Sequence, residues 1–195
     1  MQADKVIEAF KKAGALLEGH FVLSSGLHST TYLQCALVLQ NPVQAEKFGQ
    51  ALAACFQDQN IQLVASPAIG GLIIGHEVAR ALGARFLWTE RQAGSMTLRR
   101  GFSVASGERT LVVEDVVTTG GSTRETIEAL RAAGADVVAA ASIIDRSSGS
   151  ADVGVRRIAL AQLDVQSVDP SVCEACARGE AATKPGSRKT EGSKQ

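Results

Sequence analysis

The chain has 195 residues, 45% of them hydrophobic, which is enough to bury one sizeable core. Lys plus Arg number 20 and Asp plus Glu number 20, so no overall charge argues for nucleic acid or a membrane surface as a partner. No apolar run reaches the roughly 18 residues of a bilayer span, and the amphipathic N-terminus is unlike a signal peptide, so a cytoplasmic location is expected.

Residues 4–17 predict a helix with acids and lysines on its polar face. Two short strands follow around a Ser24-Ser25-Gly26 turn, with Phe21-Val22-Leu23 before it and Thr31-Tyr32-Leu33 after it. Asn41-Pro42 supplies a cap and a first helical residue for a helix to about Asp58. A strand over 62–66 runs into Pro67-Ala68-Ile69-Gly70-Gly71, which is neither a Walker loop nor a clean G-x-G-x-x-G and by itself reads as a βα turn. Then come a helix over 71–83, a strand over 84–89, a loop over 90–97, strands over 98–105 and 110–115, a helix over 122–133 and a strand over 136–144. Arg156 to Leu163 gives a last strand, and Asp169-Pro170 opens a short helix through Cys176. Alternating β and α elements imply an α/β fold, a mostly parallel sheet with helices on both faces.

The richest segment is Leu111-Val112-Val113-Glu114-Asp115-Val116-Val117-Thr118-Thr119-Gly120-Gly121-Ser122-Thr123. A buried strand ends in paired acids, then hydroxyls and paired glycines lead into a helix. Ligands of open α/β sheets bind beyond the carboxyl ends of strands, and a helix N-terminus offers unpaired N–H groups and partial positive charge. Gly120 and Gly121 let a phosphate approach the backbone. Ser122 and Glu125 fit a capping box. No Lys or Arg lies between Glu114 and Thr123, so amides and hydroxyls would hold the anion. Two carboxylates would repel a bare phosphate; they make sense for a ligand that also offers a diol or brings Mg²⁺. Adjacent strand residues face opposite sides, so both acids reach one ribose only if the strand unwinds at Glu114.

The segment Val112–Thr123 resembles the phosphoribosyl-pyrophosphate (PRPP) signature of type I phosphoribosyltransferases. The resemblance implies that fold with a small N-terminal hood, and a PRPP site made of Glu114, Asp115, Val116, Val117, Thr118, Thr119, Gly120, Gly121 and Ser122. In it the two acids hold the ribose hydroxyls and the loop holds the 5′-phosphate. The stretch Phe21-Val22-Leu23-Ser24-Ser25-Gly26-Leu27-His28-Ser29, with Ile143-Ile144-Asp145-Arg146, is similar to the orotate phosphoribosyltransferase family over about Lys5 to Leu163. That similarity implies orotate and PRPP as substrates, orotidine 5′-monophosphate and pyrophosphate as products, Thr118 and Arg146 on orotate, Mg²⁺ as cofactor and a homodimer. It also implies Asp115 and Arg91 as catalytic residues and a pyrophosphate contact at Pro67–Gly71. Arg91 is the nearest counterpart of the cations of a mobile loop, here Glu90–Gly101, which lacks the family's Lys and His. Arg99 and Arg100 could instead be solvent-facing on a strand. A purine phosphoribosyltransferase or a non-catalytic PRPP-binding regulator are the alternatives.

The expected organisation is one domain over 1–177, with a hood about 1–40 and a core about 41–165. A disordered tail over 178–195 would follow, with five Lys/Arg against two Asp/Glu. Cys35 and Cys55 lie in apolar segments and read as reduced core residues. Cys173-Glu174-Ala175-Cys176 is half of a tetrahedral zinc site, which a second copy could complete, but reads as a reduced pair. His20, His28 and His76 lack ligand spacing and read as local hydrogen-bonding residues. No protein-held metal is therefore expected.

Overall fold

The structure is a computed structural model that describes residues 1–23 and 25–184. The chain divides into two compact units, Met1–Ala15 with Cys35–Asp164, and Leu16–Gln34 with the segment from Val165 onward. The smaller unit is therefore not the contiguous hood of 1–40. Met1–Ala15 and the residues from Cys35 pack with the larger unit because their apolar side chains, Val6, Phe10, Cys35, Val38 and Leu39, are buried there.

The larger unit carries α1 (Ala3–Lys12), α2 (Cys35–Leu39), α3 (Pro42–Ala53), β3 (Leu63–Pro67), α4 (Gly71–Leu82), β4 (Arg85–Gln92), β5 (Ser95–Leu98), β6 (Arg109–Val117), α5 (Gly121–Ala132), β7 (Asp136–Asp145) and β8 (Arg156–Gln162). The smaller carries the hairpin β1 (Leu16–Val22) and β2 (His28–Leu33), and α6 (Glu174–Ala177). A helix over 4–17 was expected, but α1 ends at Lys12 because Gly14 takes a left-handed φ of 61°, and β1 begins at Leu16. Asn41 caps α3 as its sequence predicts, accepting from the backbone N–H of Val43 and Gln44.

The sheet order is β5-β4-β3-β6-β7-β8, parallel except for β5. The chain leaves β3 toward β4 on one side and β6 toward β7 on the other, so the order reverses between β3 and β6. Leu63, Val112, Ile127, Leu130, Val137 and Ala140 form the core on one face, and Leu130 is wholly inaccessible. Truncating such a leucine costs about 2–5 kcal/mol through lost burial and the cavity left behind.

Three local expectations are overturned. Residues 90–97 are not a loop: β4 and β5 pair as an antiparallel hairpin from Thr89↔Leu98 to Gln92↔Ser95. Its turn is Ala93-Gly94, with φ of 49° and 90°, the left-handed pair that a two-residue hairpin requires. With Leu98 ending that ladder, the strand expected over 98–105 does not form. Cys55 is exposed rather than in the core.

Candidate active site

β3 and β6 pair only from Leu63↔Thr110 to Ala65↔Val112. Beyond Ala65, Ser66 and Pro67 continue along β4 alone, while β6 runs on beside β7 to Val117. The two strands part at the point where strand order reverses, the place where open α/β sheets bind ligands.

Glu114 and Asp115 stand at this parting. The strand does not unwind at Glu114, as one ribose contact for both acids was expected to require. It stays paired through Glu114↔Ser142 and Val116↔Ile144. Both carboxylates nevertheless reach the β3–α4 turn. A Cβ on Gly70 would lie 2.9 Å from each carboxylate oxygen of Asp115, and one on Gly71 would lie 3.3 Å from Glu114 Oε1 and 3.0 Å from the Val113 carbonyl oxygen. At Gly70 the Asp115 carboxylate occupies the space a side chain would take, and at Gly71 Ser66 Cβ, at 2.9 Å, and the Val113 carbonyl crowd it more closely than Glu114 does. The turn, which contains a cis Ala68–Ile69 peptide, is anchored by the Ala68 N–H donating to the Thr89 carbonyl at 2.8 Å.

The acids are costly to keep charged. Burial pushes the Glu114 carboxyl well above the usual range, and the neighbouring Asp115 raises it further. Burial also raises Asp115, opposed by hydrogen bonds from its surroundings, among them the Val116 N–H at 2.8 Å and the Cys35 thiol. Burial and Asp115 together push the Cys35 thiol well up. Cys35 is buried as its apolar segment predicts, but nothing in its sequence spacing marks it as Asp115's neighbour.

Beyond β6, Val116 is half-buried, Val117 is buried, and Thr118 and Thr119 are exposed before the turn into α5. Gly120, not Ser122, is the N-cap of α5. Its φ is 76°, and a Cβ there would meet Val153 Cγ1 at 2.8 Å, so the position needs glycine on both counts. The capping box expected from Ser122 and Glu125 is absent: no side chain caps α5, Ser122 lies inside it, and Glu125 instead pairs with Arg91 at 2.9 Å. Thr119 Oγ1 accepts from the Gly121 N–H at 3.5 Å. The first turn of α5, with amides that a helix cannot pair internally, thus opens beside exposed hydroxyls.

Arg146 directly follows β7, and its N–H donates to the Val117 carbonyl at 2.8 Å, which sets it beside Thr118. Asp145 fixes the bend there. It pairs with Arg157 at 3.0 Å and accepts from the Ser147 N–H and hydroxyl and from the Gly149 N–H. Burial alone would raise the Asp145 carboxyl, but these hydrogen bonds and Arg157 outweigh it and hold the group below its ordinary value. The Arg146 guanidinium slightly offsets the upward push on the Cys35 thiol.

The cations of the β4–β5 hairpin stand differently. Arg91 lies in β4 rather than in a mobile loop, held by Glu125 and by its own turn through the Gly94 carbonyl. Arg99 and Arg100 both pair with Glu90. Arg100, then Trp88, hold the Glu90 carboxyl below its usual value.

The family described as Phosphoribosyl transferase domain matches residues 37–172. A protein of Pelotomaculum thermopropionicum named orotate phosphoribosyltransferase is 53% identical over 189 residues, covering 97% of this chain and 100% of that one. The chain belongs to the orotate phosphoribosyltransferase family. A family member from Thermotoga maritima is 50% identical over 93% of this chain and 97% of its own length. The crystal structure of the family's Aeropyrum pernix enzyme superposes with a TM-score of 0.67 at 29% identity, covering 81% of this chain and 93% of that one. A Mycobacterium tuberculosis member solved with PRPP shares the fold at TM-score 0.64 and 22% identity, over 82% of this chain and 96% of its own.

The smaller unit holds the residues the sequence misjudged most. His20 and His28 are not separate hydrogen-bonding residues. Their ring nitrogens lie 2.8 Å apart, and Cys173 and Cys176 join them in one cluster. Against the expectation of no protein-held metal stands this four-residue set, whose ligand atoms all lie within 4.8 Å of one another. The expected tail is also shorter at its start. Residues Arg178 to Lys184 are described, and Thr183 bridges to Phe21, whereas 185–195 lie outside the described residues.

Proposed function

We propose that the crevice between β3 and β6 transfers the phosphoribosyl group of PRPP to orotate, giving orotidine 5′-monophosphate and pyrophosphate in pyrimidine (UMP) biosynthesis. The observation that carries this is the convergence of Glu114 and Asp115 on the glycine turn at Gly70-Gly71, beside a hydroxyl-rich loop that opens α5. Glu114 and Asp115 accept hydrogen bonds from the ribose 2′ and 3′ hydroxyls. The amides and hydroxyls from Val116 to Ser122 hold the 5′-phosphate, aided by the α5 dipole. The turn Pro67–Gly71 receives the pyrophosphate. Arg146, with its fork of N–H donors, and Thr118 bind orotate.

Leaving-group departure from an anomeric carbon proceeds with oxocarbenium character. The residues therefore fix the sugar through its hydroxyls and phosphate and hold the attacking orotate nitrogen in line. Glu114 and Asp115 offer hard carboxylate oxygens of the kind Mg²⁺ takes, and a cation beside them would offset the cost that burial puts on their charged forms. When bound with PRPP it neutralises charge on the departing pyrophosphate. Arg91 is the protein cation nearest in kind to that task, and it would have to leave Glu125 to serve it. We assign the chain to the cytoplasm as a homodimer on the strength of the family. No helix among the described residues is long and apolar enough to cross a membrane.

The test is turnover with PRPP, Mg²⁺ and each of orotate, adenine, guanine and uracil, followed by loss of base and release of pyrophosphate. Orotate alone should react. Adenine in its place would make this a purine enzyme, and PRPP binding without turnover would make it a regulator.

A further inference from the structure

We infer that His20, His28, Cys173 and Cys176 form a structural zinc site within the smaller unit. The Sγ of Cys173 lies 3.5 Å from His20 Nε2, and the Sγ of Cys176 lies 3.7 Å from His20 Nε2 and 3.2 Å from His28 Nδ1. Tetrahedral zinc with its ordinary bonds to nitrogen and sulfur spaces these atoms about 3.5 Å apart. The nitrogen pair, at 2.8 Å, is tighter than the roughly 3.3 Å that such a centre gives and needs to open by about half an ångström. Two thiols and two imidazoles are the donor set of closed structural zinc centres.

A second observation points the same way. His20 Nδ1 lies 2.9 Å from the Glu180 carbonyl oxygen, to which it donates. That fixes the tautomer, leaving the Nε2 lone pair facing both sulfurs and His28. Histidine ligands to zinc are oriented in this way by a backbone carbonyl. His20, His28 and Cys173 are each at most 9% exposed, so the cluster is shut off from solvent on three members, and Cys176 closes the outside. Buried polar groups of this kind need a partner for every lone pair.

The position explains what the metal would do. His20 and His28 belong to the β1–β2 hairpin, and Cys173 and Cys176 lie about 150 residues later, at the start and in the body of α6. Backbone pairs already bring the segments together: His28 with Val168 in both directions at 2.8 Å, and Val22 and Thr183 N–H groups to Thr183 and His20 carbonyls at 2.8 Å. The unit nonetheless consists of one hairpin and short helical turns, with Phe21, Leu33, Cys173 and Ala175 as its buried apolar residues among those described. A unit this small lacks the apolar core to hold two distant segments, and a metal staple is the usual remedy. The Cys-x-x-Cys pair is completed by histidines of the same chain, not by a second copy.

Untagged full-length protein, purified without added metal or chelator, should carry about one zinc ion per chain by mass-spectrometric metal analysis. Replacing zinc with Co²⁺ should give the visible bands of a tetrahedral ion and a thiolate charge-transfer band. Cys176→Ser and His28→Ala should each weaken zinc binding more than roughly tenfold, the scale already lost when outer-shell partners are removed. In hydrogen exchange, chelation should speed exchange in residues 16–34 and 165–184 and leave β6 and α5 unchanged, which separates this site from the PRPP crevice. Metal-free protein whose melting temperature and exchange respond to neither zinc nor chelator would overturn the inference. So would an octahedral cobalt spectrum without thiolate bands, or a mass two hydrogens light that reports a Cys173–Cys176 disulfide in protein isolated under reducing conditions.

Discussion

At Glu114 and Asp115, stability and function pull in opposite directions. Asp115→Asn should lower PRPP affinity or turnover at least tenfold, about 1.4 kcal/mol, because an amide cannot replace a doubly accepting carboxylate on a diol. Unchanged kinetics would remove the diol role. Ligand-free stability should move the other way at Glu114. Its folded-state pKa is raised above the ordinary 4.5, so folding takes up a proton there. The stability from that group is fully present below the unfolded pKa and is lost as pH rises through the folded one. Glu114→Gln should therefore melt higher than the parent near pH 8, the gap closing as pH falls toward 4.5. A gap that widens on acidification would mean that the carboxylate is stabilised as an anion in the folded chain. Arg146→Ala should raise the KM for orotate most, by about 1.5–3 kcal/mol or roughly ten- to a hundredfold, as expected for a charge-assisted contact. An effect confined to PRPP would move Arg146 to the other substrate.

Among the elements, the β3–α4 turn is the one built around its neighbours. The three nearest atoms to a Cβ on Gly70 all belong to the Asp115 carboxyl group, within 2.9–3.1 Å. Gly70→Ala would displace that carboxylate without touching backbone, so kcat/KM should fall by roughly tenfold while the melting temperature changes little. Full activity would mean that Asp115 can swing aside and still work. The β4–β5 hairpin teaches a different point. Its polar, charged sequence reads as a loop, yet Ala93-Gly94 is a two-residue turn of the kind that closes a tight hairpin, and that signal was available in the sequence. The β1–β2 hairpin fits its local reading, but the partner that seals it comes from the far end of the chain.

Across the molecule, protection should follow burial. Leu111, Val112 and Val113 in β6 are wholly buried between β3 and β7, so their amides should exchange slowest, at the rate of global unfolding. Faster exchange in β6 than in the β4–β5 hairpin at the sheet edge would contradict that order. Local patterns in the sequence determined the buried strand at 111–113, the Asn41-Pro42 start of α3, the alternation that yields a parallel sheet, and the glycine-hydroxyl loop, because each depends on residues within one element. Tertiary structure alone decided three further matters: that Glu114 and Asp115 both face Gly70-Gly71, that Cys35 lies against Asp115, and that two histidines meet two cysteines about 150 residues away. Periodicity and turn chemistry act over a few residues, whereas these meetings depend on where strands part and segments return, which no local pattern encodes.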